Sequence, residues 1–246
     1  MATLDAYVID LDGTLAAGGC LTRGAGELIA ATGGAYVVVS NNSSHSPCGV
    51  ADELAACGLA IPPERIVLAG AVTLTLLASE RPGARVMLLG STAMAEMAVA
   101  AGMRLVEDDP DMVVLARDEQ FSYERLLRAA NAVRGGAELV ATNADPSHPG
   151  KDGRIVPETG ALLAALKACC GPLTHRTIGK PGPVLFTEAL RRLGTAPART
   201  LVIGDNAATD GVGAQRLGMP FLHVHDCDAA AAAALLRRRK HRIRTA

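Results

Sequence analysis

The sequence predicts an α/β fold in which a Rossmann-like, doubly wound parallel sheet forms the core and a smaller α/β unit is inserted into it. Three observations carry this expectation. Short apolar runs alternate with helix-length segments along most of the chain. The runs are continuously apolar rather than alternating, as strands buried on both faces read. Several of them end in acidic or small polar residues, and open parallel sheets bind ligands beyond the carboxyl ends of their strands. A chain of 246 residues, 49% of them hydrophobic, has the material for one such core with an insertion.

Ala6 to Ile9 reads as the first buried strand, and it runs into Asp10-Leu11-Asp12-Gly13-Thr14. Side chains at i and i+2 of an extended segment share a side, so Asp10 and Asp12 can face one site. Two close carboxylates repel, and a cation is the usual remedy. Gly13 lets the chain turn away. Alternatively, the stretch is only a strand-ending turn rich in Asp and Gly. A helix follows from about Gly24 to Thr32, then a strand, Tyr36 to Val39, that ends in Ser40-Asn41-Asn42-Ser43. Ser40 either caps the next helix or joins backbone N–H groups in holding an anion.

Residues 47–59 read as a helix with Cys48 and Cys57 in its packing face, Ile66 to Ala69 as a strand and Ala71 to Glu80 as a helix. Arg81-Pro82-Gly83 breaks the pattern, and from about 84 it restarts. Strands are expected at Val86–Leu89, Met112–Leu115 and Leu139–Ala141, with helices at Ala93–Ala101, Tyr123–Arg134 and Gly160–Cys170. Met94, Met97 and Met103 are core filler. A polar loop spans 143–157, and loops of that length in compact domains are often functional. The expected division is a core of 1–82 with 177–246, and an inserted unit of 83–176.

Lys180 precedes a helix that opens at Pro183, where proline suits the first turn, and runs to about Leu193. A lone lysine is a solvated side chain unless its neighbours say otherwise. Leu201-Val202-Ile203-Gly204-Asp205 repeats the opening pattern, with Asn206, Thr209 and Asp210 behind it. Gly211 and Gly213 follow an acidic loop rather than a strand, so a dinucleotide turn is excluded. Phe221 to Cys227 reads as the last strand. His223, His225 and Cys227 either share a metal-binding face or mark an exposed strand end, and zinc-site spacing is not met. Ala229 to Leu236 is a helix, and Arg237-Arg238-Arg239-Lys240, Arg242 and Arg244 form a basic tail. Cations there complement a helix dipole. A nucleic-acid role for the tail is disfavoured, because acids outnumber bases in the rest of the chain.

Composition narrows the class. The six cysteines form no C-x-x-C pair and read as reduced thiols of a cytoplasmic protein. No run of about 18 apolar residues predicts a membrane span, and the first residues lack a secretory pattern. Trp is absent and aromatics are 2%, so Ala, Val and Leu must build the core.

Taken together, Asp10-Leu11-Asp12-Gly13-Thr14, Ser40-Asn41-Asn42, Lys180-Pro181 and Gly204-Asp205-Asn206-Ala207-Ala208-Thr209-Asp210 resemble the four motifs of the haloacid dehalogenase-like hydrolase superfamily. Only 25 residues separate Thr14 from Ser40, which leaves no room for a cap in the first position, whereas the span from Ser43 to Lys180 holds one in the second. Asp118-Glu119-Gln120-Phe121-Ser122-Tyr123 and Ala141-Thr142-Asn143-Ala144-Asp145 are similar to the cap of its 4-nitrophenylphosphatase branch, subfamily IIA. That branch includes pyridoxal phosphate, phosphoglycolate, glycerol phosphate and nucleotide phosphatases. Pro157-Glu158-Thr159-Gly160 departs from the branch's Pro-Gly-x-Gly at Glu158.

The resemblance implies a Mg²⁺-dependent phosphatase of small phosphate esters. Asp10 would be the nucleophile that becomes an aspartyl-phosphate, and Asp12 the general acid and base. Asp10, the Asp12 carbonyl and Asp205 would hold the metal, supported by Asn206 and Asp210, with hard oxygen ligands suited to that ion. Ser40, Asn41 and Lys180 would bind the phosphoryl group. Asn143, Asp145 and His148 would form a substrate-specificity loop, since Asp145-Pro146-Ser147-His148-Pro149 is similar to the loop of vitamin B6 phosphatases. A homodimer through the cap is a further expectation. The alternatives are a catalytically idle protein that kept the fold, and a phosphomutase sharing the covalent intermediate.

Overall fold

The computed structural model describes residues 4–150, 154–225 and 228–244, with side chains through residue 238. The chain divides into two compact units. The first comprises Met1–Ser40, Pro47–Val67 and Lys180–Ala246, and the second Asn41–Ser46 and Leu68–Gly179.

In chain order, β1 (Ala6–Asp10) leads into a small hairpin of β2 (Ala16–Ala17) and β3 (Cys20–Leu21), followed by α1 (Ala25–Thr32), β4 (Tyr36–Ser40), α2 (Pro47–Ala56) and β5 (Ile66–Leu68). Then come α3 (Ala69–Glu80), β6 (Arg85–Leu89), α4 (Thr92–Ala100), β7 (Arg104–Leu105), β8 (Met112–Leu115), α5 (Tyr123–Arg134) and β9 (Glu138–Ala141). A second hairpin, β10 (Ser147–Pro149) and β11 (Ile155–Pro157), precedes α6 (Thr159–Cys170) and β12 (Arg176–Thr177). The chain finishes with α7 (Pro183–Leu193), β13 (Thr200–Gly204), α8 (Val212–Arg216), β14 (Phe221–His223) and α9 (Ala229–Arg244).

The first unit is built on a sheet of order β14-β13-β1-β4-β5. β1 lies at its centre and pairs in parallel with β13 on one side and β4 on the other. Every residue of β1, β4 and β13 is buried, as the continuously apolar runs predicted. From β1 the chain first builds outward through β4 and β5, and later returns to the other side through β13 and β14. The order therefore reverses at β1, and such a switch point opens a crevice at the carboxyl ends of the strands. Leu185, Phe186 and Ala189 form the buried stripe of α7. Gly213 serves this packing: a Cβ there would overlap the Phe186 ring. That explains a glycine which no nucleotide motif accounts for.

The second unit carries its own parallel sheet, of order β12-β9-β8-β6-β7. Met87, Leu89, Val113, Leu115, Leu139, Leu163 and Leu166 belong to its core, and Met94 and Met103 are buried as expected while Met97 is half-buried.

Several expectations need correction. Cys48 and Cys57 are exposed; the packing face of α2 is set by Val50, Ala51 and Leu54, and Cys57 lies beyond the helix end. The 143–157 loop contains the β10/β11 hairpin. The basic run is not a tail after a helix but part of α9, which continues to Arg244, because Arg and Lys are themselves good helix formers. The last strand ends at His223, and Cys227 lies outside the described residues. Among the described residues no helix is long and apolar enough to cross a membrane.

Candidate active site

The strand register sets the site. Asp10 pairs with Val39, and Ile9 with Ile203, so the carboxyl ends of β13, β1 and β4 finish level. Asp10 closes β1, Ser40 closes β4 and Asp205 follows β13. One oxygen each of Asp10, Asp205 and Asp210 lies within 4.8 Å of the others.

Gly13 makes this approach possible. It sits at φ +82°, and a Cβ there would overlap the Asp205 carboxylate. Both the backbone region and the space therefore demand glycine. Asp10 is buried, with Lys180 Nζ 2.5 Å from Oδ1 and the Thr14 hydroxyl donating to Oδ2 at 3.1 Å. Lys180 is 4% exposed and reaches a second carboxylate, Asp210 Oδ1, at 2.7 Å. Its ammonium also donates to the Val39 carbonyl, at 3.3 Å. The lysine is thus a buried bridge between two acids rather than a solvated side chain.

Burial pushes the Asp10 carboxyl well above the usual carboxylate range, against the pull of Lys180, while the charges of Asp210 and Asp12 push it the same way. Burial raises Asp205 as well. Burial opposes the charge on Lys180, but Asp10 and Asp210 outweigh it and raise the ammonium's pKa. Asp210 Oδ2 is buried without a hydrogen-bond partner. Three clustered acids around one lysine, one with an orphaned buried oxygen, suit a hard divalent cation.

Ser40 does not cap a helix: α2 begins only at Pro47. Its buried hydroxyl donates to Asp12 Oδ2 at 2.9 Å. Asp12 itself is exposed. Asn206 is exposed and its Oδ1 accepts the Ala208 N–H at 2.9 Å, as the cap of the 207–211 turn. His223, the last residue of β14, bonds through Nε2 to the Asp205 carbonyl at 2.5 Å, with His225 edge-on against it. Sequence reasoning missed this contact, because a parallel partner 18 residues away leaves no local pattern.

The second unit places the remaining candidates. Asn41 Nδ2 donates to Asp145 Oδ2 at 2.9 Å, and Asn143 Nδ2 to the Asn41 carbonyl at 2.7 Å. His148, on β10, lies 2.7 Å from Glu158 Oε1 through Nδ1. Ser43, which carried no prediction, accepts from the Arg117 N–H at 3.0 Å and lies 3.1 Å from the Thr159 hydroxyl.

Buried Asp10, exposed Asp12 and buried Lys180 thus lie at the carboxyl end of a parallel sheet, at the positions of the motifs noted in the sequence. Residues 7–104 match the family model for haloacid dehalogenase-like hydrolases, and residues 177–242 a second, HAD-hydrolase-like model. The chain is 33% identical over 228 residues to an acid sugar phosphatase of Staphylococcus aureus, covering 91% of this chain and 87% of that protein. It belongs to the haloacid dehalogenase-like hydrolase family. It is 38% identical over 224 residues to the D-glycerol 3-phosphate phosphatase of Mycobacterium tuberculosis, covering 89% of this chain but only 62% of that relative's length. The crystal structure of a glycerol phosphate phosphatase from Mycobacterium tuberculosis in complex with magnesium superposes with a TM-score of 0.83 at 37% identity, over 90% of this chain and 68% of that one.

Proposed function

We propose that this protein is a phosphatase that hydrolyses small phosphorylated metabolites through a phosphorylated Asp10. The observation that carries the reading is the buried Asp10–Lys180–Asp210 bridge at a sheet switch point, with Asp205 beside it. Asp10, Asp205 and Asp210 would hold Mg²⁺, with the Asp12 carbonyl, and Asn206 would support them. When bound, the ion would neutralise charge between the carboxylates and the phosphoryl oxygens. Relatives that are phosphatases, one of them crystallised with magnesium, support the same assignment.

In this reading Asp10 attacks phosphorus and Asp12 gives its proton to the leaving alcohol, whose bond to phosphorus breaks. Asp12 then takes a proton from water as that water attacks the same phosphorus, and Asp10 is regenerated. Thr14 fixes the orientation of Asp10. Ser40 and Lys180, with the Asn41 backbone N–H one residue past Ser40, hold the phosphoryl oxygens, since an anionic nucleophile meeting an anionic ester needs positive groups.

Residues 83–176 act as the cap that selects the substrate, through Asn143, Asp145 and His148. Self-association through that segment belongs to the same proposal, which exposed Val99, Tyr123 and Ile155 support. So does a cytoplasmic location, which the five free thiols among the described residues fit. The test is a panel of phosphate esters (glycerol phosphate, sugar phosphates, phosphoglycolate, pyridoxal phosphate, nucleotides) assayed with and without Mg²⁺. Metal-dependent release of inorganic phosphate from some of them is expected. No release from any ester, with or without metal, would contradict the reading.

A further inference from the structure

Of the three specificity-loop candidates, two are committed to holding the loop. Asn143 is buried and donates to the Asn41 carbonyl and to Ser43 Oγ, at 2.7 and 3.3 Å. Its own Oδ1 accepts the Asp145 N–H at 3.1 Å, and Asp145 Oδ2 accepts from Asn41. His148 is the one with ring surface to offer, its side chain being 37% exposed.

The hairpin register places His148 opposite Val156, so Glu158 is its diagonal neighbour on the same face. The start of α6 is bonded to the loop by its backbone: the Glu158 N–H donates to the Pro146 carbonyl and the Gly160 N–H to the Asp145 carbonyl, at 3.1 and 2.8 Å. Glu158 occupies the N-cap position of α6, yet its carboxylate does not cap the helix. It turns to His148 Nδ1 at 2.7 Å and lies 3.6 Å from an Arg117 nitrogen. Its side chain is 14% exposed. Burial pushes this carboxyl up, and Arg117 and His148 pull it back. An ionised carboxylate only accepts hydrogen bonds, so the proton between the two belongs to Nδ1.

We propose that Glu158 is a positioning residue for substrate choice: it fixes the ring and tautomer of His148, so that Nε2 of an oriented imidazole is the atom presented to the organic part of the substrate. This rests on the phosphatase reading for the word substrate, but not for the Glu158–His148 coupling itself. It also gives a role to the residue at which the chain departs from the family's Pro-Gly-x-Gly, where a glycine has no side chain to orient a histidine.

The experiment has two arms on the full chain. In ¹⁵N-histidine NMR, with the His148 signals assigned by their loss in His148→Ala, neutral His148 is expected as the Nδ1–H tautomer in the unmodified protein. It should move toward Nε2–H in Glu158→Ala and stay Nδ1–H in Glu158→Gln, whose amide oxygen still accepts. In the ester panel, Glu158→Ala should raise KM for the preferred ester by about five- to tenfold, the scale of one charge-assisted hydrogen bond, with Glu158→Gln recovering most of it. Glu158→Ala combined with His148→Ala should add no further loss beyond His148→Ala alone. An unchanged tautomer in Glu158→Ala, or additive losses in the double variant, would overturn the proposal. If no ester is hydrolysed by the unmodified protein, the phosphatase reading falls, and the tautomer still decides whether Glu158 positions His148.

Discussion

The described residues form two five-stranded sheets, and they put different chemistry at their carboxyl ends. In the first, β1 and β13 end in buried or half-buried acids that outnumber the lysine among them, and Asp210 keeps an unpartnered oxygen. In the second, no acids cluster at the strand ends among the described residues: Asp118, after β8, is paired with Arg125 at 3.0 Å, and the residues after β6 and β9 are neutral. Ser91, after β6, donates to the Ser44 carbonyl and caps α4, and Asn143, after β9, bonds Asn41 and Ser43. The same layer architecture thus yields a cluster of three acids in one case and separate, paired charges in the other. Function follows from which side chains are brought together at the strand ends, not from the sheet.

The contrast can be broken by substitution. Asp10→Asn should have the largest effect, lowering kcat by about 10³-fold or more, as removal of a covalent nucleophile does. Phosphate release under saturating ester measures it, and retained turnover would place the chemistry elsewhere. Leu115→Ala, in the fully buried β8, should cost about 2–5 kcal/mol of stability through its cavity, read from the urea midpoint. Gly13→Ala should cost less, about 1–3 kcal/mol from strain and overpacking. It should also weaken Mg²⁺ binding in calorimetry, because the new methyl displaces Asp205; no equivalent glycine in the second sheet should affect metal binding.

The smallest effect concerns the surface of α7. Hydrogen bonds from Arg191 and then Arg192 hold the Glu188 carboxyl down at about 2, below its ordinary 4.5. A depressed carboxylate stabilises the fold above its unfolded pKa. That contribution is complete above pH 4.5 and is lost as pH falls through about 2. Glu188→Gln should flatten the stability profile across that window by less than about 1 kcal/mol, since exposed pairs are screened. Acid titration of the thermal midpoint in both proteins checks it.

The sequence made the buried elements legible because burial leaves a composition signal. Tyr36 to Val39 and Met112 to Leu115 are apolar on both faces, and Tyr123–Arg134 carries clear helical periodicity. Features set by partners far along the chain were not legible. Cys48 and Cys57 pass for apolar residues, but Val50 and Leu54 decide which face of α2 packs. Pro146, Pro149 and Pro157 hide a hairpin whose strands are three residues each. At the site, Asp10, Asp12, Ser40, Lys180 and Asp205 stand out because each adjoins an apolar run or a helix start. The bridging of Lys180 to Asp210, the grip of His223 on the Asp205 carbonyl and the pairing of Glu158 with His148 depend on tertiary contact and have no local signature.

The proposed role of Asp10 is nucleophilic attack on phosphorus. It is tested most directly by quenching the protein with borohydride during turnover of a phosphate ester, since borohydride reduces an acyl phosphate to the alcohol. Peptide mass mapping should then find homoserine at Asp10 and at no other aspartate. An unmodified Asp10 beside a reduced carboxylate elsewhere, or turnover that leaves every carboxylate intact, would contradict the account.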